Sequence, residues 1–517
     1  MKGLKKEELN EFFLNENSGK ILEDALLRGL NFKTQKSENV LNFKDLEELK
    51  KSLIEPIPRK AKDLKKVLNE CQEKIIDNSV NFSSKHFLAF PDCGNSTSGM
   101  CGHIISGMLN QNLINSMHCA PSATFVEMTV INWIREIMGY KVIKNPKDIL
   151  DVGGINVPGG TLANTIALLL ARDNLVPEIK TKGFSKKPIK IFIPEGIGHY
   201  SSKNAMSLLG MGSDNVIEVK TTSEFTLDKN DLIKKIEEAK KDSIPLAVVA
   251  YAGDSRTMAI DDFKEISKIT KKYGLWFHID ACHGASLCFS EKLKKKISGI
   301  NLADSVTIDP HKVLFIPYSL SYLLVKDPLK FKAVSNVNDL ITKEKYSFGQ
   351  ITPFLGSRAF NSLKLWFLIK NLGKDKIGSL IERRHDLAVF FSSLIKRTPD
   401  FYLMNQVKIN SVAYLYVPKE LKEELDKNGS QETIDKINDL NLRIQKKIFK
   451  EGKFYVHTFK LNDFRNVLNT GTDKIYQMQR LMLGNPFTTE KDMVDLVEYS
   501  KKISEDEWKN EKSIHRN

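Results

Sequence analysis

From about residue 151 the chain alternates short runs of β-branched and aromatic residues with amphipathic stretches, and this alternation restricts the possible fold most. The runs at 189–193, 246–251, 275–279, 305–308 and 321–325 have the length and composition of strands. Between two of them, residues 261–272 open on acids, set Phe263, Ile266 and Ile269 on one face and close on lysines. That order suits a helix whose end charges complement its dipole. Strands alternating with helices predict an α/β domain with a mostly parallel central sheet flanked by helices. After about residue 376 weaker strands such as 411–417 mix with helices, which predicts a smaller C-terminal α+β domain. Residues 4–78 are charged, with Leu and Ile at spacings of three and four and a loop around Pro56 and Pro58. Three parts are therefore expected: a helical N-terminal segment (1–95), a large α/β domain (96–375) and the small domain (376–517).

Bulk properties exclude several classes. At 41% hydrophobic and 27% charged, the chain has the composition of a globular protein rather than a disordered one. No apolar run approaches the roughly 18 residues of a membrane span; the longest, at 165–171, reads as a buried helix. Residues 1–13 mix lysine with glutamate and hold no apolar stretch, so no secretory signal is expected and the cytoplasm is. Cys71, Cys93, Cys101, Cys119, Cys282 and Cys288 show no C-x-x-C pair, which predicts reduced thiols and no metal site. The net charge of +14 comes from lysines set among acids, as at 231–242 and 419–427. These read as solvated helix faces, and without a binding motif neither nucleic acid nor membrane is an expected partner.

The chemistry concentrates where strands end. Phe277-His278-Ile279-Asp280-Ala281-Cys282 and Thr307-Ile308-Asp309-Pro310-His311-Lys312 each pass from a β-run into polar and small residues. Ligands of an open parallel sheet bind beyond its carboxyl ends, so Asp280 and Lys312 should reach the rim of one crevice. Either residue alone reads equally well as a turn carboxylate or a surface lysine. A lysine amine and a carboxylate brought together there point to Schiff-base chemistry, with the acid serving a ring nitrogen. Gly159-Gly160-Thr161, opening an apolar helix, lets backbone N–H groups approach a phosphate, although such turns also occur without a ligand. His199 follows a strand, where a lone histidine is more often structural.

Asp309-Pro310-His311-Lys312 with His278-Ile279-Asp280-Ala281 upstream resembles the group II pyridoxal 5′-phosphate (PLP)-dependent amino acid decarboxylases, which include the glutamate, aromatic amino acid, histidine and cysteine sulfinate enzymes. The resemblance runs from about residue 85 to 367 and more loosely to the end. It implies the fold type I of PLP-dependent transferases and a carboxy-lyase that converts an L-amino acid to its amine and CO2. It further implies that Lys312 holds PLP as an internal aldimine and that Asp280 pairs with the pyridinium nitrogen. Gly160 and Thr161, within the family's Gly-Gly-Ser/Thr-x-Ala-Asn, become phosphate contacts, with His311 at the same end and Asp309 in a structural or hydrogen-bonding role. His199 takes the place of the imidazole that stacks on the ring. Cys282 replaces the family's second alanine and falls under or beside that ring. Where the family has Ala-x-x-Gly-Thr-Thr, this chain has Asp254 and Ser255, which put two different polar side chains near the cofactor.

Leu355-Gly356-Ser357-Arg358 resembles the element that follows a mobile loop in this family. The loop closes over the neighbouring subunit's site, and its tyrosine returns a proton to Cα; Tyr346 falls at that place, and His199 is the alternative catalytic donor of that proton. The implied assembly is a homodimer with shared active sites, wrapped by the N-terminal segment. Phe87 and Phe90 are expected in an apolar pocket around the substrate carboxylate. Aromatic, acidic and small aliphatic substrates all suit the resemblance. An oxidative deaminase (aldehyde synthase) would use the same residues, but its loop tyrosine is often phenylalanine. A lyase for phosphorylated long-chain amines usually carries a membrane anchor, and a non-catalytic binding protein has no use for Lys312 and Asp280.

Overall fold

A computed structural model describes residues 13–35, 40–41, 45–183, 187–337 and 343–514. The first twelve residues of the expected N-terminal segment and part of the loop before Tyr346 thus lie outside the described residues. The central sheet has seven strands: β1 (Gly154–Val157), β2 (Ile189–Pro194), β3 (Val216–Val219), β4 (Ile244–Tyr251), β5 (Trp276–Asp280), β6 (Ser305–Ile308) and β7 (Ser321–Val325). Their order is β1-β7-β6-β5-β4-β2-β3. β3, β2, β4, β5 and β6 are mutually parallel, and β7 runs antiparallel to both β6 and β1. The link from β6 to β7 holds only one helical turn, Pro310–Val313, instead of a crossover helix, so the chain returns antiparallel.

Every residue of β5, β6 and β7 is buried, the polar His278, Asp280, Ser305, Thr307 and Ser321 among them. The helix Phe263–Tyr273 forms where its pattern predicts. Asp262 caps it by accepting from Lys264 and Glu265 N–H, Phe263, Ile266 and Ile269 are buried, and Gly274 closes it in the left-handed region. The helix Gly160–Leu175 is buried along most of its length against the sheet.

A second sheet is antiparallel throughout, in the order β10-β11-β9-β8, with β8 at Phe401–Leu403, β9 at Ser411–Tyr416, β10 at His457–Asn462 and β11 at Ile475–Met482. The long helix Ser362–Arg397 connects the two layers and breaks at Gly373. Its Leu365, Leu368 and Ile377 join the core of the large sheet; Ala388, Phe391 and Ile395 join that of the small one. Among the described residues, no helix is long and apolar enough to cross a membrane.

Candidate active site

A cavity of about 260 Å³ opens at the carboxyl ends of β4, β5 and β6. Gly160, Thr161, His199, Asp280, Cys282, His311 and Lys312 all line it, so seven of the eight candidate residues are brought together from four separate chain segments. Asp280 ends β5 and is buried. Its Oδ2 accepts from Asn164 Nδ2 at 2.7 Å and its Oδ1 from Cys282 N–H at 3.2 Å. Burial alone would push this carboxyl up, but His199, Cys282, Lys312 and Asn164 outweigh it and hold the group below its ordinary value. It is an ionised carboxylate in a dry wall.

Lys312 sits in the single turn after β6, and its Nζ lies 2.8 Å from Asp309 Oδ2. Burial opposes its charge, yet Asp309 and Asp280 keep the amine well above its usual range. Asp309 has its other oxygen on Ser321 Oγ at 2.5 Å, which fits the structural role expected for it. His311 meets the Leu320 carbonyl through Nδ1 at 2.7 Å and packs its ring on Tyr318 at 4.8 Å.

The helix Gly160–Leu175 points its first turn at the cavity, where N–H groups have no intrahelical partner. A Cβ on Gly160 would lie 2.5 Å from Cys282 Sγ and 2.8 Å from Asp309 Oδ2, so only glycine lets that turn approach. His199 caps the helix Tyr200–Leu208: its Nδ1 accepts from Ser201 N–H at 3.2 Å and meets Ser201 Oγ at 2.8 Å. Burial holds this imidazole below its ordinary value. Burial also pushes the Cys282 thiol well up, leaving it neutral. An amine, a buried carboxylate opposite, and helix N–H groups behind a glycine cradle fit a phosphorylated pyridine aldehyde: one group for the aldehyde, one for the ring nitrogen, one for the phosphate.

Two expectations, for Asp254 and for the pair Phe87 and Phe90, need adjustment, and Tyr346 and Arg358 stand apart from the cavity of their own chain. Tyr346 lies outside this cavity; its hydroxyl donates to the Pro146 carbonyl at 3.4 Å and its ring stands edge-on to Phe125. Asp254 does not face the cavity either, because its carboxylate is consumed within its own turn by N–H groups of Arg256, Thr257 and Ala259 and by the Thr257 hydroxyl. Ser255 alone of that pair lines the wall. Phe87 packs into a separate small core with Phe90 and Tyr455, and neither phenylalanine lines the cavity. Arg358 is structural here, paired with buried Glu127 at 2.9 Å and bonded to the Asn156 carbonyl.

The residues missed from sequence are Asn164, His278, His283, Tyr251 and Tyr318. Asn164 stood inside a quoted motif, and His278 belonged to a polar alternation along buried strands, Trp276-x-His278-x-Asp280 beside Ser305-x-Thr307. Such alternation inside a fully buried strand signals a polar network. Tyr251 and Tyr318 line the cavity from loops and strand ends without a spacing signal.

Residues 47–417 match the pyridoxal-dependent decarboxylase conserved domain. The chain is 29% identical over 472 residues to the acidic amino acid decarboxylase GADL1 of Mus musculus, covering 89% of this chain and 82% of the relative. It is 29% identical over 517 residues to the aspartate 1-decarboxylase of Aliivibrio fischeri, covering 94% and 91%. The crystal structure of mouse CSAD in apo form superposes with a TM-score of 0.84 at 24% identity, covering 94% of this chain and 98% of the other. That of Oryza sativa TDC with PLP gives 0.80 at 18% identity, covering 95% and 98%. With the match spanning both sheet and site, the chain belongs to the pyridoxal-dependent decarboxylase family and is a PLP-dependent enzyme that removes the carboxyl group of an amino acid.

Proposed function

We propose that this enzyme decarboxylates an acidic amino acid, working as a cytoplasmic homodimer. The observation that carries the reading of the pocket is that the Lys312 amine and the ionised Asp280 carboxylate line one cavity. Bound PLP supplies an electron sink for the pair left behind when CO2 departs. Lys312 Nζ would be its point of attachment, Asp280 would hold a proton on its ring nitrogen, His199 and Cys282 would flank its ring, and Gly160, Thr161 and His311 would hold its phosphate. Tyr346, delivered to the partner's cavity, returns the proton to Cα.

The acidic substrate class is supported by the names of the two relatives above and by Arg480. This guanidinium is buried, donates to the carbonyls of Ser255 and Ala89, and has no carboxylate within ion-pair distance among the described residues. Its Nε carries no hydrogen-bond partner. A buried cation behind the Ser255 wall is a counter-charge for a substrate side-chain carboxylate. Dimerisation is supported by two surfaces. The helices Gly19–Thr34, Leu46–Leu53 and Leu64–Lys74 contain no buried residue, and Ile105, Met108, Leu109, Met117 and Phe125 are exposed. Apolar exposure of that extent marks an interface. Buried free thiols at Cys93, Cys282 and Cys288 suit a reducing compartment.

The test is CO2 release by purified enzyme with PLP from aspartate, glutamate, cysteine sulfinate and tryptophan in parallel. The expected result is turnover of one or more acidic substrates with tryptophan inert. Turnover of tryptophan alone overturns the substrate class, and elution of a PLP-loaded monomer on gel filtration overturns the dimer.

A further inference from the structure

Behind the cavity, strand periodicity gathers polar side chains inside the apolar core. Trp276, His278 and Asp280 alternate onto one face of β5, and Ser305 and Thr307 onto the same face of β6. The register sets His278 beside Ser305 and Asp280 beside Thr307. Asn164 meets this stripe from the helix Gly160–Leu175. All of these residues and Ser201 are buried, so their donors and acceptors must satisfy one another.

The direction of each bond follows from groups that cannot reverse. Asp280 is a carboxylate and only accepts, so the atom 2.7 Å from its Oδ2 is the amide nitrogen of Asn164. Asn164 Oδ1 therefore accepts, from Thr307 Oγ1 at 2.8 Å and from His278 Nε2 at 3.0 Å. With its proton on Nε2, neutral His278 accepts at Nδ1 from Ser305 Oγ at 2.8 Å, and Ser305 in turn accepts from the donor-only Trp276 indole at 2.9 Å. On the other side, Asn164 Nδ2 donates to Ser201 Oγ at 3.0 Å, which leaves the Ser201 hydroxyl proton for His199 Nδ1 at 2.8 Å. The Ser201 backbone N–H points at the same nitrogen from 3.2 Å and cannot be turned around.

We propose that Asn164 is a positioning residue that joins Asp280 and His199 into one hydrogen-bonded unit and, through Ser201, fixes His199 as the neutral imidazole with its proton on Nε2. The inference rests on the decarboxylase reading of this pocket and deepens it. The Ser201 backbone N–H cannot turn away from Nδ1, so adding a proton there would set N–H against N–H, and the imidazolium is disfavoured by geometry. His199 then meets substrate and cofactor as a hydrogen-bond donor. It does not deliver the proton to Cα, because a neutral imidazole N–H is far too weak an acid; that task falls to another group.

The experiment is 15N NMR of the full-length enzyme labelled in its histidine imidazoles, with and without PLP, using His199→Gln to assign the His199 signals. The expected result is a protonated Nε2 and an unprotonated Nδ1 in both forms. A proton on Nδ1, or fast exchange between the two nitrogens, overturns the proposal. Asn164→Ala is expected to shift both His199 signals and to lower kcat at least tenfold at saturating PLP; unchanged His199 signals overturn the positioning role. If that variant does not fold, Ser201→Ala breaks the same link at its far end and must move the Nδ1 signal, and no movement is again a refutation. An enzyme that has the Nε2–H tautomer but decarboxylates no amino acid would sink the functional reading and leave this one standing.

Discussion

Asp280→Asn removes a charge while keeping a shape. The new amide can offer its oxygen to Asn164 Nδ2, so the hydrogen bond at 2.7 Å has a replacement, only the longer bond from Cys282 N–H at 3.2 Å is lost, and the fold should survive. What disappears is an ionised acceptor, held below its ordinary carboxyl value in a buried wall. A hydrogen bond to a charged group contributes about 1.5–3 kcal/mol. At about 1.4 kcal/mol per factor of ten, that is about 10- to 150-fold in PLP affinity. The upper end is favoured because Asp280 is buried, where the effective dielectric is low. Turnover should fall further than binding, since a ring nitrogen without its carboxylate partner loses the proton that makes the ring an electron sink. PLP affinity is read by absorbance titration and kcat by CO2 release at saturating cofactor. A variant within about twofold of wild type in both would refute the role given to Asp280.

The remaining predictions concern the cradle, the ion pairs and acid stability. Gly160→Ala places a Cβ 2.5 Å from Cys282 Sγ, which should destabilise by about 1–3 kcal/mol in urea melts and weaken PLP binding; adding Cys282→Ala should recover part of the loss. Glu127→Ala strands the buried Arg358 guanidinium 2.9 Å away and should cost about 3–5 kcal/mol in the same assay. Asp492 ties the C-terminal helix to Lys85 at 2.6 Å and His86 at 3.2 Å. Burial opposes its charge, but Lys85, Thr489 and His86 bring its pKa to about 2. Because the folded value lies below the unfolded one, its stabilisation of about 2 kcal/mol is complete above pH 4 and fades as pH falls toward 2. Asp492→Asn should flatten that acid limb of the stability–pH curve.

What could be read from the sequence follows from where signals are strong. The five predicted strand runs lie within the observed β2, β4, β5, β6 and β7 or overlap them by all but a residue, because buried strands favour β-branched and aromatic residues. β1 and β3 carry weaker strand signals, with Gly154 and Asn156 in one and the charged Glu218 in the other. Asp280 and Lys312 were predicted to share a crevice because each follows a strand end, and they do line one cavity. Asp254 was misplaced for a local reason: an Asp two to five residues ahead of free N–H groups folds onto its own turn rather than facing a ligand. Phe87 and Phe90 pack against Tyr455 and Arg480, partners hundreds of residues away that no local pattern reveals. Asn164 lies within the Gly-Gly-Thr motif's continuation, but its role depends on contacts with two strands and a second helix, which only the fold brings together.

The attachment point of the cofactor tests the whole account most directly. Reduction of the PLP-loaded enzyme with borohydride, followed by proteolysis and mass spectrometry of the peptides, locates the lysine that carries the pyridoxyl group. Labelling confined to the peptide containing Lys312 is the predicted outcome; a label on a different lysine, or none on any, contradicts it.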